Sequence, residues 1–308
     1  MQAARIHRFG GPEVLDVESI AVPVLAADEL LVKVRAASLN PVDYKTCQGT
    51  FPPVTEAMLP ITLGRDLSGT IAAVGGQGGG FRTGDAVMVL LSPDHGAFAE
   101  YALITPAQAA VKPERLTHAD AAALGLAGLT AWQGLFDHGH LEAGQRVLIH
   151  GGGGGVGHLA VQFAKHRGAF VFATVSPRDL PFMHELGVDR PIDHAAERFE
   201  EVARDVDLVF DLIGGETQAR SLALVRPGGA LISTLMAPPQ DVCAAAGIRG
   251  ARFMAEPSGG ELAEIARLVE EGHVRVMIAE SFPLARAREG LQRLEQGGVR
   301  GKLVLEIA

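Results

Sequence analysis

One stretch constrains its surroundings more than any other: His150-Gly151-Gly152-Gly153-Gly154-Gly155-Val156-Gly157. The spacing Gly152-x-Gly154-x-x-Gly157 follows a hydrophobic run, Arg146–His150. It precedes residues of helical period, in which Val156, Ala160, Phe163 and Ala164 share one face. Glycine there lets a strand turn sharply into a helix and brings backbone N–H groups up to a pyrophosphate with no Cβ between. The helix N-terminus adds a partial positive charge that favours an anion. A second hydrophobic run, Ala169–Thr174, completes a βαβ pattern. The stretch therefore predicts dinucleotide binding by Gly152, Gly153, Gly154, Gly155, Val156 and Gly157.

Strand–helix alternation extends on both sides of this unit. Thr117 with Asp120 reads as the capped start of an Ala/Leu-rich helix. Strands are expected at Ile192, Asp205–Asp211 and Ala230–Thr234. Helices are expected at Leu180–Leu186, stopped by Gly187, and at Thr217–Val225. Such alternation means a parallel sheet. The first third differs. Ala3–Phe9, Leu30–Ala36, Leu67–Val74, Ala86–Leu91 and Phe98–Ile104 are short Val/Ile/Leu runs, separated by Gly10-Gly11-Pro12, Pro52-Pro53 and Gly84-Asp85. They predict a barrel or sandwich. Gly75-Gly76-Gln77-Gly78-Gly79-Gly80 precedes no helix and reads as a flexible loop, not a phosphate site. After residue 255, a helix at Gly260–Glu271, the run Val274–Phe282, a helix from Leu284 and a strand at Lys302–Ile307 can pack back on the first part. The expected fold is α/β: a Rossmann doubly wound parallel sheet over 116–260, and a β-rich domain from 1–115 and 261–308.

A length of 308 residues suits two domains, and 47% hydrophobic with 20% charged residues excludes disorder as the main state. The net charge of −9 argues against nucleic-acid binding by bulk charge. Two cysteines, Cys47 and Cys243, allow neither a disulfide framework nor a four-Cys zinc lobe, and fit a reducing cytoplasm. The uncharged run Ala121–Phe136 is shorter than the roughly 18–20 residues of a membrane span. It reads as a buried helix, and no membrane association is expected. The first residues carry no apolar signal-peptide core.

The end of the second strand bears on which dinucleotide binds. An NAD site usually carries Asp or Glu there to accept from the ribose 2′-OH. Here Ala173-Thr174-Val175-Ser176-Pro177-Arg178 offers no carboxylate before Asp179. Thr174, Ser176 and Arg178 are taken as cofactor-binding. Ser176 and Arg178 can hydrogen-bond a 2′-phosphate, Arg with charge assistance, so NADP(H) is expected. The plainer reading of Arg178 is a solvated helix-start residue.

With these residues in hand, the chain resembles the medium-chain dehydrogenase/reductase superfamily, in its zinc-free quinone oxidoreductase branch. The motifs that carry the likeness include Ala37–Lys45, Gly64–Gly69, His95–Tyr101, Leu126–Trp132, Glu185–Asp189, Phe210–Gly215 and Gly301–Leu305, in order along nearly the whole chain. The resemblance implies a GroES-like substrate domain at both chain ends, a Rossmann domain between, and a site in the cleft. Zinc-bearing relatives carry ligands where this chain has Asn40, Arg65 and the Leu124–Ala127 stretch, so no metal is expected.

The same resemblance points to Asn40, Asp43 and Tyr44 as catalytic. Asn40 would orient substrate or the nicotinamide amide, and Tyr44 would donate to an oxyanion or carry a proton. The plain alternative for Asn40-Pro41 is a helix cap. Thr130, His194, Ile213, Gly214, Leu235, Phe253, Met254 and Lys302 are implied cofactor contacts. Against them stand a helix-interior Thr130, a solvated His194, and core packing for Phe253 and Met254. The implied activity is hydride transfer from NADPH to a quinone or related electrophilic carbonyl. The alternatives are an enone/alkenal reductase and a non-enzymatic NADPH-binding redox sensor. A homodimer is implied.

Overall fold

The computed structural model describes residues 1–76 and 78–308, so Gln77 of the Gly75–Gly80 loop lies outside the described residues. The described chain divides into two compact units. One comprises Met1–Leu129, Glu256–Gly272 and Val276–Ala308; the other Thr130–Ala255 and His273–Arg275.

The first unit carries strands β1 (Gln2–Ile6), β2 (Asp16–Ser19), β3 (Leu30–Leu39), β4 (Ile61–Thr62), β5 (Asp66–Val74), β6 (Ala86–Leu90), β7 (Tyr101–Ile104) and β8 (Ala109–Val111). The short helix α1 (Pro41–Cys47) follows β3, and α2 (His118–Trp132) follows β8. Thr117 Oγ1 accepts from the Asp120 N–H at 3.1 Å and Asp120 Oδ2 accepts from the Thr117 N–H at 3.2 Å, the reciprocal cap that starts α2. A helix so anchored packs its small side chains on this unit, with Ala122 and Ala123 against Ala36 and Val304. The chain accordingly leaves the unit at Leu129, beyond residue 115 where the composition changes.

The second unit contains β9 (Arg146–His150), α3 (Gly157–His166), β10 (Phe170–Val175), α4 (Leu180–Glu185), β11 (Arg190–Asp193), α5 (Phe199–Val202), β12 (Val206–Asp211), α6 (Gly215–Ser221), β13 (Val225–Ser233), α7 (Gln240–Ala246) and β14 (Arg249–Arg252). The sheet order is β11-β10-β9-β12-β13-β14, every neighbour parallel. That is the doubly wound order, with its reversal between β9 and β12. Leu148, Phe172, Val209 and Leu231 share one buried core with Phe199 and Leu222.

Helix α8 (Gly259–Glu270), β15 (Ile278–Pro283), α9 (Ala287–Glu295) and β16 (Lys302–Glu306) return to the first unit. There β16 pairs antiparallel with β3, as Leu303 with Leu39 and Leu305 with Ala37. The sheet runs β15-β16-β3-β5-β6-β8, and β7 also pairs β3.

Candidate active site

All six strands of the second unit run the same way, so their carboxyl ends share one edge, where open α/β sheets bind ligands. That edge gathers the glycine loop after β9, Ser176 to Asp179 after β10, and His194 after β11. Ile213 and Gly214 follow β12, Leu235 follows β13, and Phe253 with Met254 follow β14.

The loop's glycines have distinct reasons. A Cβ on Gly157 would fall 2.1 Å from the Gly151 carbonyl oxygen, and one on Gly152 would fall 3.0 Å from the Ala173 Cβ. Packing alone demands glycine at 157, whereas at 152 the neighbouring side chains would have to give by a few tenths of an ångström. A Cβ on Gly154 would meet nothing closer than that same oxygen at 3.4 Å, an ordinary contact. The protein itself does not need glycine at 154. Bare backbone facing open space beside a helix N-terminus is the cradle a pyrophosphate requires, so the loop fits a dinucleotide.

The residues after β10 form a tighter group than the sequence suggests. Ser176 Oγ donates to Asp179 Oδ2 at 2.5 Å, and Arg178 Nε stands 3.7 Å from the same oxygen. Asp179 is buried and lies beside Gly153, whose Cβ would come within 3.0 Å of Oδ2. A carboxylate therefore does stand in this corner, and both groups offered to a 2′-phosphate lean on it. Thr174 is buried, with its hydroxyl turned toward His150 at 3.0 Å.

Asp211, which ends β12, organises the next two turns. Its Oδ1 accepts from the N–H of Ile213 at 3.0 Å and of Gly214 at 2.8 Å, while Oδ2 accepts from Gln218 Nε2 at 3.0 Å and Ser233 Oγ at 2.9 Å. Sequence reasoning placed Asp211 at a ligand-binding strand end, within Phe210–Gly215, but did not read its part in holding these turns. Ile213, Leu235 and Met254 expose their side chains, and His194 is exposed. Phe253 departs from its expected contact role: it is buried, 4.5 Å from the His138 ring and 6.4 Å from that of Phe210. Thr130 is buried within α2.

A second cluster sits in the first unit, where β3 enters α1. Asn40 is the N-cap, and its N–H donates to Asp43 Oδ2 at 2.7 Å. Asn40 Nδ2 donates to Ser38 O at 3.1 Å and to Asp66 Oδ1 at 3.0 Å. Asp66 also accepts from Ser38 Oγ at 2.8 Å and the Leu126 N–H at 2.9 Å. The Lys302 ammonium donates to Leu39 O at 3.1 Å and to Asn40 Oδ1. Both ends of the Asn40 amide are thus engaged inside the protein, by Ser38, Asp66 and Lys302. Lys302 is 4% exposed and turned inward, so its implied cofactor contact gives way to a role in this cluster.

Burial dominates the electrostatics here. It pushes the Asp43 carboxyl up to about 7, aided by the charge of Asp66 and opposed by the Asn40 N–H, Lys302 and Arg65. It raises Asp66 and lowers Lys302, each pulled back by the other's charge. Tyr44 is half-buried. Its phenol is raised by burial and then by the charge of Glu295, and so stays protonated at neutral pH.

The donor set does not suit zinc. Asn40 is engaged as described, and Arg65 directs Nε and Nη2 at Leu91 O, 3.0 and 2.9 Å away. Among the described residues, no three His, Cys, Asp or Glu side chains group as metal ligands do. Among the described residues, no helix is long and apolar enough to cross a membrane.

Fold and glycine cradle define a Rossmann-type α/β protein. A model of the alcohol dehydrogenase GroES-like domain matches residues 26–114, and one of the zinc-binding dehydrogenase matches 186–305. The 2-methylene-furan-3-one reductase of Solanum lycopersicum is 35% identical, over 99% of this chain and 79% of its own length. The quinone oxidoreductase structure from Coxiella burnetii superposes with a TM-score of 0.93 at 36% identity, covering 100% of this chain and 99% of that one. The Escherichia coli quinone oxidoreductase complexed with NADPH gives 0.90 at 26%, covering 99% and 100%. The chain belongs to the medium-chain dehydrogenase/reductase superfamily, in its quinone oxidoreductase-like group.

Proposed function

We propose that this oxidoreductase reduces a quinone or a related α,β-unsaturated carbonyl compound with NADPH, and does so without zinc. The observation that carries the reading is the glycine loop at the start of α3, where a Cβ on Gly154 would meet only one ordinary contact. The NADPH-complexed relative and the enone-reducing relative support the cofactor and the acceptor class.

Bound NADPH supplies the hydride. The loop from Gly152 to Gly157 would hold the pyrophosphate at the start of α3, through amides beyond that of Gly152, and Ser176 and Arg178 would hold the 2′-phosphate. Ile213, Gly214, Leu235 and Met254 furnish the sheet-edge surface for the rest of the cofactor. The Tyr44 hydroxyl stabilises or protonates an oxygen that gains charge. Asn40 and Asp43 act indirectly, by fixing the corner from which α1 presents Tyr44. Zinc independence rests on Lys302, Arg65 and Asn40: an ammonium, a guanidinium and an engaged amide offer a dication no site.

In this reading residues 1–115 and 261–308 serve the substrate and 116–260 the cofactor. The proposal extends to a cytoplasmic homodimer, the dimer resting on the family resemblance and the reducing compartment on two buried free thiols. Steady-state NADPH consumption with a benzoquinone and with a straight-chain enone tests the proposal. Turnover of either supports it, and their ratio names the preferred acceptor. Tight NADPH binding with no turnover of either overturns it.

A further inference from the structure

We infer that Ser221, His150 and Thr174 form a one-way hydrogen-bond relay that fixes the start of the phosphate loop, with His150 held as the neutral Nε2–H tautomer; its functional meaning rests on the cofactor reading above. Ser221 Oγ lies 2.6 Å from the Thr217 carbonyl, which only accepts, so the single hydroxyl proton points there. The same Oγ lies 2.8 Å from His150 Nε2. Having no second proton, it accepts, and Nε2 carries the hydrogen. In a neutral ring Nδ1 is then the acceptor, and Thr174 Oγ1 at 3.0 Å donates to it. Thr174 Oγ1 is left to accept from the Gly151 N–H at 3.3 Å.

The chain of donation therefore runs from Gly151 through Thr174, His150 and Ser221 to Thr217, with one proton at every step. It links the end of β9, the end of β10 and α6. Gly151 has φ +75° and opens the turn that aims the following amides. Its N–H points at Thr174 Oγ1, and the next N–H, that of Gly152, donates to Thr174 O at 3.0 Å. One residue of β10 thus holds two successive loop amides away from the ligand side. His150 is fully buried against Phe199, ring edge to face at 4.8 Å and 73°. Burial pushes it down to about 4, against the upward pull of Asp211 on β12 and Glu200 on α5 and with the charge of Arg220 on α6. A charged ring would turn Nδ1–H on the Thr174 hydroxyl and break the direction of donation. His150 and Thr174 are positioning residues, and the glycine spacing itself begins two residues after the first.

Nitrogen-15 NMR of the intact protein, with His150→Gln to assign the ring, reads the tautomer directly. The expected signature is a protonated Nε2 and an unprotonated Nδ1 at neutral pH. Thr174→Val keeps the side-chain shape and removes the hydroxyl. It should speed exchange of the Gly151 amide and weaken NADPH roughly three- to tenfold, the worth of one neutral hydrogen bond. Thr174→Ser should restore both. An Nδ1–H tautomer in the wild type overturns the relay. So does a folded Thr174→Val protein with wild-type Gly151 exchange and NADPH affinity. A wild type that shows the tautomer and the exchange pattern yet binds no NADPH removes the cofactor reading and leaves the relay standing.

Discussion

A valine at Gly154 and a valine at Gly157 should fail differently, because only one of the two glycines answers to the protein. At 154 the added Cβ finds ordinary contact, so Gly154→Val should melt near the wild type while losing NADPH. At 157 the Cβ falls 2.1 Å from a carbonyl oxygen, so Gly157→Val should lower the melting temperature as well as binding. Thermal melts paired with NADPH fluorescence titrations separate the two, and wild-type affinity in a folded Gly154→Val protein removes the cradle. Three residues beyond β10, charge takes over from shape. Arg178 is 56% exposed, which screens its charge. Arg178→Ala should therefore weaken NADPH at the low end for a charge-assisted bond, roughly tenfold, with NADH nearly unchanged. Asp179→Asn keeps the acceptor for Ser176 and removes the negative charge beside the loop. It should tighten NADPH relative to NADH. Equal weakening of both cofactors by Arg178→Ala would show that no 2′-phosphate is read there.

The β3–α1 corner makes a prediction about pH. In the folded chain Asp43 titrates near 7, against an ordinary value of 3.8. Between those values the unfolded chain has lost the proton and the folded chain keeps it. Raising the pH through that window favours the unfolded state, and above 7 the effect is complete. Asp43→Asn retains an acceptor for the Asn40 N–H and has nothing to titrate. Its stability relative to the wild type should rise from about pH 5 to about pH 8 in urea unfolding, and a constant difference would contradict the assignment. Elements of this kind were legible unevenly. Arg146–His150 coincides with β9 because five apolar-rich residues end at an obligatory turn. Strand β14, Arg-Gly-Ala-Arg, carries no apolar pattern and exists through pairing with β13, and β2 is Asp-Val-Glu-Ser with mostly exposed side chains. The expected strand starts at Ala230, yet β13 starts at Val225 and runs through Pro227, Gly228 and Gly229 with a register shift. The glycine loop was legible because its residues are consecutive. The Asp66–Asn40–Lys302 cluster was not, since contact across more than 250 residues leaves no spacing to read.

Across the whole molecule, a single question bears on what kind of reductase this is: what carries positive charge against the buried carboxylates Asp43 and Asp66. Here the charge is covalent. Lys302 arrives on β16, beside β3, and its ammonium offsets Asp66 and Asp43 from within the sheet. Removing one partner of such a buried set strands the others, which typically costs about 3–5 kcal/mol. Lys302→Met should therefore lower stability by that order in urea unfolding, and a neutral result would mean that the carboxylates are protonated in its absence. The same cation makes a dication unwelcome. Purified protein should hold far less than one equivalent of zinc, and NADPH-dependent quinone or enone reduction should survive prolonged chelation. On the zinc-free proposal nothing lowers the pKa of a bound alcohol, so ethanol should not be oxidised at a useful rate, and the acceptor must be electrophilic by its own structure. Metal analysis alongside assays on a quinone and on ethanol checks both halves. Stoichiometric zinc whose removal abolishes activity, or brisk ethanol oxidation, would overturn the zinc-free proposal.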